Sequence, residues 1–298
     1  MKVFVTGGTG FIGAEILSEL VRAEHEVTAL VRDPARLLVR GLKHGSGNVL
    51  DPASYEPALK GSDACVHLVG ILREFPDQGI TFEKLNYQAT VNLLRSCGKL
   101  GVRRFLHMSA NGAERAISTR YMITKAKAEE AVRASSLDYT IFRPGLVFGG
   151  SVDRPNFVGM LEEAMSKLPA MAYFGSGDYR LAPVSARDVA RSFARALNDP
   201  AASGKAFHLC GPESYSYLEL LKMLREARAY RCKLFPLPVW LGRATAGVLG
   251  RYPWFPLTAG MLRMLLEGNL CPAGAPSPRD LGVEPESFRS WLLARTGG

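Results

Sequence analysis

The sequence is short of everything that marks a membrane-spanning, secreted or metal-binding chain. Of its 298 residues 47% are hydrophobic, yet no uninterrupted apolar stretch reaches the roughly 20 residues a transmembrane helix needs. The opening MKVFVTGG runs into a glycine cluster after too short an apolar run for a secretory signal. Cysteine is scarce: Cys65, Cys97, Cys210, Cys232 and Cys271 are odd in number, widely spaced and form no CxxC. The expectation is free thiols, buried in a reducing compartment, and a cytoplasmic protein, either free or peripheral to a membrane. The histidines make no HExxH and no cluster, so no metal site is expected. Nor is there a run of five or six basic residues. The net charge of +9 is scattered along the chain. Without a basic motif interleaved with aromatics, no nucleic-acid partner is expected, whereas an anionic cofactor, an anionic lipid surface or a partner protein would suit the charge.

What is present alternates. Short apolar runs at Lys2–Thr6, Val27–Val31, Asn48–Leu50, Ala64–Val69, Arg104–Ser109 and Tyr139–Phe142 read as strands. Between them, Phe11–Ala23, Phe82–Lys99 and Tyr121–Ala134 have the composition or spacing of helices. Near-continuous apolar strands separated by helices predict an α/β protein with a doubly wound parallel sheet, a Rossmann fold. After Arg143-Pro144-Gly145 the rhythm breaks and Pro and Gly become frequent. Helices are predicted at Phe157–Lys167, Ala186–Leu197, Tyr217–Ala227 and around Pro285–Ala294. Ser216 and Glu219 suit a capping box. The division predicted is a nucleotide-binding domain over 1–150, to which 181–210 contributes, and a smaller, partly interwoven substrate or docking lobe over 151–298.

Residues 6–13, TGGTGFIG, place Gly7, Gly10 and Gly13 at TGxxGxxG spacing between a strand and a helix. Glycine permits a tight turn and lets a pyrophosphate approach the backbone, while Phe11, Ile12 and Gly13 begin a helix whose free N–H groups face it. The second strand ends Val31-Arg32-Asp33-Pro34. Arg32 there favours the 2′-phosphate of NADP over NAD, although Asp33 could instead face the ribose. Asp51, after the third strand, is either an adenine contact or a loop carboxylate. Tyr121 and Lys125, in YMITK, stand four apart and share one helix face.

The glycine loop, the alternating elements, Tyr121-x-x-x-Lys125 and Arg143-Pro144-Gly145 together resemble the extended or atypical short-chain dehydrogenase/reductase superfamily, which includes the sugar-nucleotide epimerases and dehydratases. SANGAE, YMITKAKAEEAVRASSLDYTIFRPGLVFGG, APVSARDV and FHLCGPESYSYLELL further resemble the atypical group that contains the NADPH-binding accessory subunit of respiratory complex I. The resemblance implies a proton-transferring Tyr121 and a Lys125 that bonds the nicotinamide ribose and lowers the tyrosine pKa. It also implies Ser109 as the hydroxyl that polarises substrate, Pro144-Gly145 beside the nicotinamide, and Asn86 on the long helix beside the central strands. One departure stands out: in many extended members the hydroxyl lies further along, where this chain has Ala110 and Asn111.

Two functions are implied. One is an oxidoreductase or epimerase-like enzyme moving hydride between NADP (or NAD) and a small hydroxyl or carbonyl substrate. The other is a non-catalytic, nucleotide-holding accessory or assembly factor of a membrane redox complex. For a substrate site the second lobe offers Arg154, Arg180 and Arg187 with Tyr173, Phe174 and Tyr179, which ordinary packing would equally explain. His67 reads as a core histidine. Residues 234–266 mix prolines, tryptophans and aliphatic residues with Arg243, Arg251 and Arg263, a pattern for a pocket lid or for peripheral contact with a membrane or membrane complex.

Overall fold

The computed structural model describes residues 1–115, 119–150 and 156–295. Its first half runs β1 (Lys2–Thr6), α1 (Phe11–Arg22), β2 (Glu26–Val31), β3 (Lys43–Ser46), α2 (Pro52–Leu59), β4 (Ala64–His67), α3 (Ala89–Leu100), β5 (Arg104–Met108), α4 (Arg120–Ala134) and β6 (Asp138–Pro144). The second half runs β7 (Val147–Phe148), α5 (Phe157–Lys167), β8 (Ala170–Phe174), β9 (Arg180–Leu181), β10 (Val184–Ser185), α6 (Ala186–Leu197) and β11 (Ala206–Leu209). It continues with β12 (Tyr215–Ser216), α7 (Tyr217–Ala227), β13 (Lys233–Leu237), α8 (Val239–Leu249), α9 (Ala259–Leu266) and α10 (Phe288–Ala294).

Seven strands form one parallel sheet in the order β11-β6-β5-β4-β1-β2-β3. Both β4 and β5 are buried along their whole length because helices cover both faces. On one face Ile16, Leu17 and Leu20 of α1 meet Val189 and Phe193 of α6 over Val3, Val5 and Leu106. On the other, Tyr55, Leu93 and Cys97 pack on Phe4, Phe105 and Ile141. The chain order reverses between β1 and β4, so their carboxyl ends splay apart and open the crevice where such sheets take their ligands.

Residues 181–210 return to this first layer. The last strand of the sheet, β11, pairs in parallel with β6, with Phe207 opposite Phe142. Phe193 of α6 stacks on Phe142 at 4.0 Å between ring centroids. The second lobe has its own core, in which Leu220, Leu221 and Leu224 of α7 pack with Phe148 and Phe288. The Ser216–Glu219 capping box starts α7 as its sequence predicts.

Three details differ from the sequence reading. The third strand is Lys43–Ser46, not Asn48–Leu50. Lying at the sheet edge, it is mostly exposed and carries no apolar signal, while the backbone N–H of Leu50 is held in a turn by Asn48 Oδ1 at 3.0 Å. The long helix opens with a π-helical turn, Glu83–Gln88, before α3. Two of the cysteines are not free thiols: Cys210 and Cys271 form a disulfide across 61 residues, whereas Cys65, Cys97 and Cys232 are free and buried. The pairing is illegible in sequence because Asn269 hydrogen-bonds to the Arg180 and Ala182 backbone and carries its neighbours to the end of β11.

Phe193→Ala would leave a void between α6 and the sheet. Loss of such a buried ring costs about 3–5 kcal/mol. The expected result is one cooperative denaturant transition at a lower midpoint. A sheet transition unmoved by the substitution would show that α6 is not part of that cooperative unit.

Candidate functional site

The site is assembled from the carboxyl ends of neighbouring strands. At the end of β1, Gly7 has a positive φ of 79°, and a Cβ on it would stand 2.9 Å from the Leu68 carbonyl carbon and the Val69 nitrogen. A Cβ on Gly13 would lie 2.3 Å from the Gly7 oxygen. Gly10 is the N-cap of α1, with no side-chain capping bond and no acidic residue in the first turn. The first N–H groups of α1, around Phe11, Ile12 and Gly13, therefore have no intrahelical acceptor and face the crevice as a ready anion site. This geometry fits the pyrophosphate of a dinucleotide.

Arg32 follows β2, exposed and without an ion pair among the described residues. The Asp33 carboxylate is engaged locally, accepting from Ala35 N at 3.0 Å. Asp51 is exposed at the start of α2, and its carboxylate makes no capping bond.

At the end of β4, Gly70 abuts Lys125: a Cβ there would sit 2.9 Å from Nζ. Lys125 is almost fully buried and donates to the Met108 carbonyl at 2.8 Å. Asn86, projected by the π-helical turn, accepts from Ile71 N at 2.9 Å and donates to Thr124 at 3.4 Å. The ammonium, the amide and the backbone of 70–71 thus line one spot beside the strand ends. Sequence reasoning missed Gly70 and the Met108 carbonyl; the glycine directly after ACVHLV was the available signal.

Tyr121 is half-buried, edge-on to Phe82 at 5.8 Å. Burial pushes the Tyr121 phenol above its ordinary pKa. The Lys125 ammonium bonds the Met108 carbonyl, and among the described residues no charge acts on the phenol against its desolvation. Burial also lowers Lys125 itself to about 8, opposed by Glu129 one turn along.

The end of β5 places Ser109 toward Glu129. Its Oγ is buried without a partner at hydrogen-bond geometry. Burial pushes the Glu129 carboxyl up, but the bonds from Arg143, aided by Ser109, outweigh it and hold the group below its ordinary range. Arg143 Nε and Nη2 donate to Glu129 at 2.9 and 2.5 Å. Arg143 Nη1 lies 3.0 Å from His208 Nε2, and His208 Nδ1 lies 2.9 Å from Asn111 Oδ1. A neutral imidazole carrying its proton on Nδ1 satisfies both contacts. Asn111 Nδ2 donates to Asn269 Oδ1 at 2.6 Å and to Leu270 O at 3.0 Å. Pro144, at the end of β6, is buried, and its carbonyl accepts from Asn111 N.

His67 is a core histidine, bonded to Thr6 and Thr90 at 2.7 and 3.1 Å. Burial, then the Lys125 charge, lowers it to about 3. Arg180 is bound to Ser214, Tyr179 stacks on Tyr217 at 5.2 Å, and Arg187 is exposed. Arg154 lies outside the described residues.

Residues 7–200 match a protein family described as NAD(P)H-binding. The chain belongs to that family. It is 25% identical over 295 residues to the NADH-ubiquinone oxidoreductase 40 kDa subunit, mitochondrial, of Neurospora crassa, covering 96% of this chain and 76% of that one. It is 22% identical over 294 residues to the photosystem II assembly factor Ycf39 of Synechocystis, covering 96% and 87%. Among solved structures, a UDP-glucose 4-epimerase of Thermotoga maritima superposes with a TM-score of 0.76 at 20% identity, over 100% of this chain and 98% of that one. The fold matches that of this epimerase, and the protein is a Rossmann-type NAD(P)-binding protein.

The buried ammonium yields a pH test. Lys125 titrates near 8 when folded and about 10.5 when unfolded. Between those values the unfolded chain binds the extra proton, so this contribution to stability rises with pH and is at its least favourable below pH 8. Nucleotide-free Lys125→Met is expected to exceed wild type in unfolding free energy at pH 7, by at most roughly 3 kcal/mol. The gap should narrow as pH rises through the window. A pH-independent gap would refute the buried charge.

Proposed function

We propose that this protein is a nucleotide-holding accessory or assembly factor of a membrane redox complex, carrying NADP(H) in the crevice and not turning over a substrate. The observation that carries this reading is the end of β5. Where extended relatives place a hydroxyl, this chain has Ala110 and an Asn111 whose amide is bonded to His208, Asn269 and Leu270. That side chain serves the joint between the lobes and is not free to polarise a substrate oxygen. Lys125 beside Gly70 would hold a ribose hydroxyl with or without chemistry. Relatives named as a subunit and as an assembly factor of membrane complexes support the setting. Among the described residues no helix is long and apolar enough to cross a membrane, so the contact would be peripheral.

A second reading, hydride transfer with Tyr121 as the proton carrier, is favoured by the placement of Tyr121 one turn from a lysine already lowered to about 8. Purified protein separates the two. The accessory reading expects bound NADPH that stays reduced through a panel of carbonyl substrates, and a Tyr121→Phe chain that keeps wild-type nucleotide affinity. Substrate-dependent oxidation that vanishes in Tyr121→Phe would establish the enzyme instead.

NADP is the cofactor proposed over NAD: Arg32 follows β2, exposed and without an ion pair among the described residues, at the position that reads a 2′-phosphate in such folds, while the Asp33 carboxylate is engaged by Ala35 N. Arg32→Ala is expected to weaken NADPH about tenfold, as loss of a charge-assisted contact implies, with NADH little changed. Equal affinities in wild type would end this assignment.

A further inference from the structure

Residues 228–266 contain six basic side chains and no acidic one. Within this stretch large apolar side chains stand in solvent: Trp240 and Trp254 are each 69% exposed and Val248 is 59% exposed. Such exposure is unusual for tryptophan, which buries most of its ring when it serves a core.

The arrangement is built, not loose. Gly242 and Ala246 are the buried positions of α8, and Gly242 lies so close on Phe174 that a Cβ would stand 2.5 Å from the ring. The helix is therefore seated by its small residues. Trp240, Ala244, Val248 and Arg251, recurring at intervals of three or four, share the opposite, outward face. Beyond it Tyr252 and Trp254 stack at 6.1 Å, with the Arg251 guanidinium 4.9 Å from the Tyr252 ring centroid. From the inner side Arg73, on the loop after β4, donates to the Tyr252, Pro253 and Phe255 carbonyls at 3.4, 3.1 and 2.6 Å. The turn is thus clasped to the cofactor-side loop while its rings project away. It serves as a cover on one side and leaves an unpartnered face on the other.

We propose that this outward face, Trp240 to Trp254, docks on an anionic lipid surface. The proposal deepens the accessory-factor reading and rests on it for the presence of a membrane. Tryptophan and tyrosine suit the boundary between headgroups and acyl chains, where the ring is apolar and its N–H or O–H stays wet. Arg228 and Arg263 are paired with Glu162 and Glu267, whereas Arg243 and Arg251 flank the rings without an ion pair among the described residues and complement a surface of opposite sign.

The test is flotation of the full chain with vesicles of phosphatidylcholine alone or mixed with phosphatidylglycerol. The expected result is recruitment to the anionic vesicles only. It should fall about tenfold or more in Trp240→Ser/Trp254→Ser and in Arg243→Glu/Arg251→Glu, and weaken with salt. Both arginines of the charge-reversal pair are exposed, so it keeps the test valid if the serine variant fails to fold. Wild type that ignores anionic vesicles, variants that bind as wild type does, or recruitment only to native membranes and lost on protease treatment would each overturn the proposal. The last outcome would mark a protein partner. Nucleotide content is measured in every sample. Wild type that retains NADPH but binds no vesicle sinks the lipid surface alone, whereas turnover of NADPH by a vesicle-binding chain sinks the accessory reading alone.

Discussion

A buried guanidinium must find its partners inside the protein, and the joint between the two lobes depends on that requirement. Arg143, on β6, is nearly inaccessible to water, and its bidentate contact with Glu129 joins the central sheet to α4. Removing one member of such a pair typically costs about 3–5 kcal/mol, because the other charge is left uncompensated. Its remaining nitrogen fixes the His208 ring on β11, which fixes Asn111, which in turn holds Asn269 and Leu270 of the second lobe. One chain of polar contacts therefore joins α4, the last strand of the sheet and the segment of Asn269 and Leu270.

This chain of contacts also explains the character of the site. An asparagine that joins two lobes is rigid and saturated, a good wall and a poor substrate ligand. The lysine on α4 sits over the end of β5, its charge held by a main-chain carbonyl, at a cost to stability from its burial. The lobe joint and the buried ammonium share a frame, because Glu129 and Lys125 lie one turn apart on the same helix. The clasp of Arg73 on the 252–255 carbonyls extends that frame from the cofactor-side loop to the exposed aromatic face of α8 and the turn after it.

Much of the first half was legible. Apolar strands such as ACVH and RFLHM, glycines at strand ends and a capping residue before a helix are local signals that the tertiary structure has no reason to override. The edge strand Lys43–Ser46 was not legible, because an exposed strand held by one neighbour carries no apolar pattern. Nor was the π-helical turn at Glu83–Gln88, whose effect is to aim Asn86 at Ile71 and Thr124. The glycine loop was readable because its demands are steric: no Cβ fits at Gly7 or Gly13.

By itself the sequence determined the βα alternation, the anion-binding turn and the shared helix face of Tyr121 and Lys125, since each follows from spacing along a few consecutive residues. Only the tertiary structure decided what those residues face. It paired Cys210 with Cys271, committed Asn111 to the lobe joint, set the Tyr121 ring edge-on to Phe82 and left Trp240 and Trp254 in solvent. Each of these depends on groups far apart in sequence, and spacing carries no information about whether a distant partner arrives.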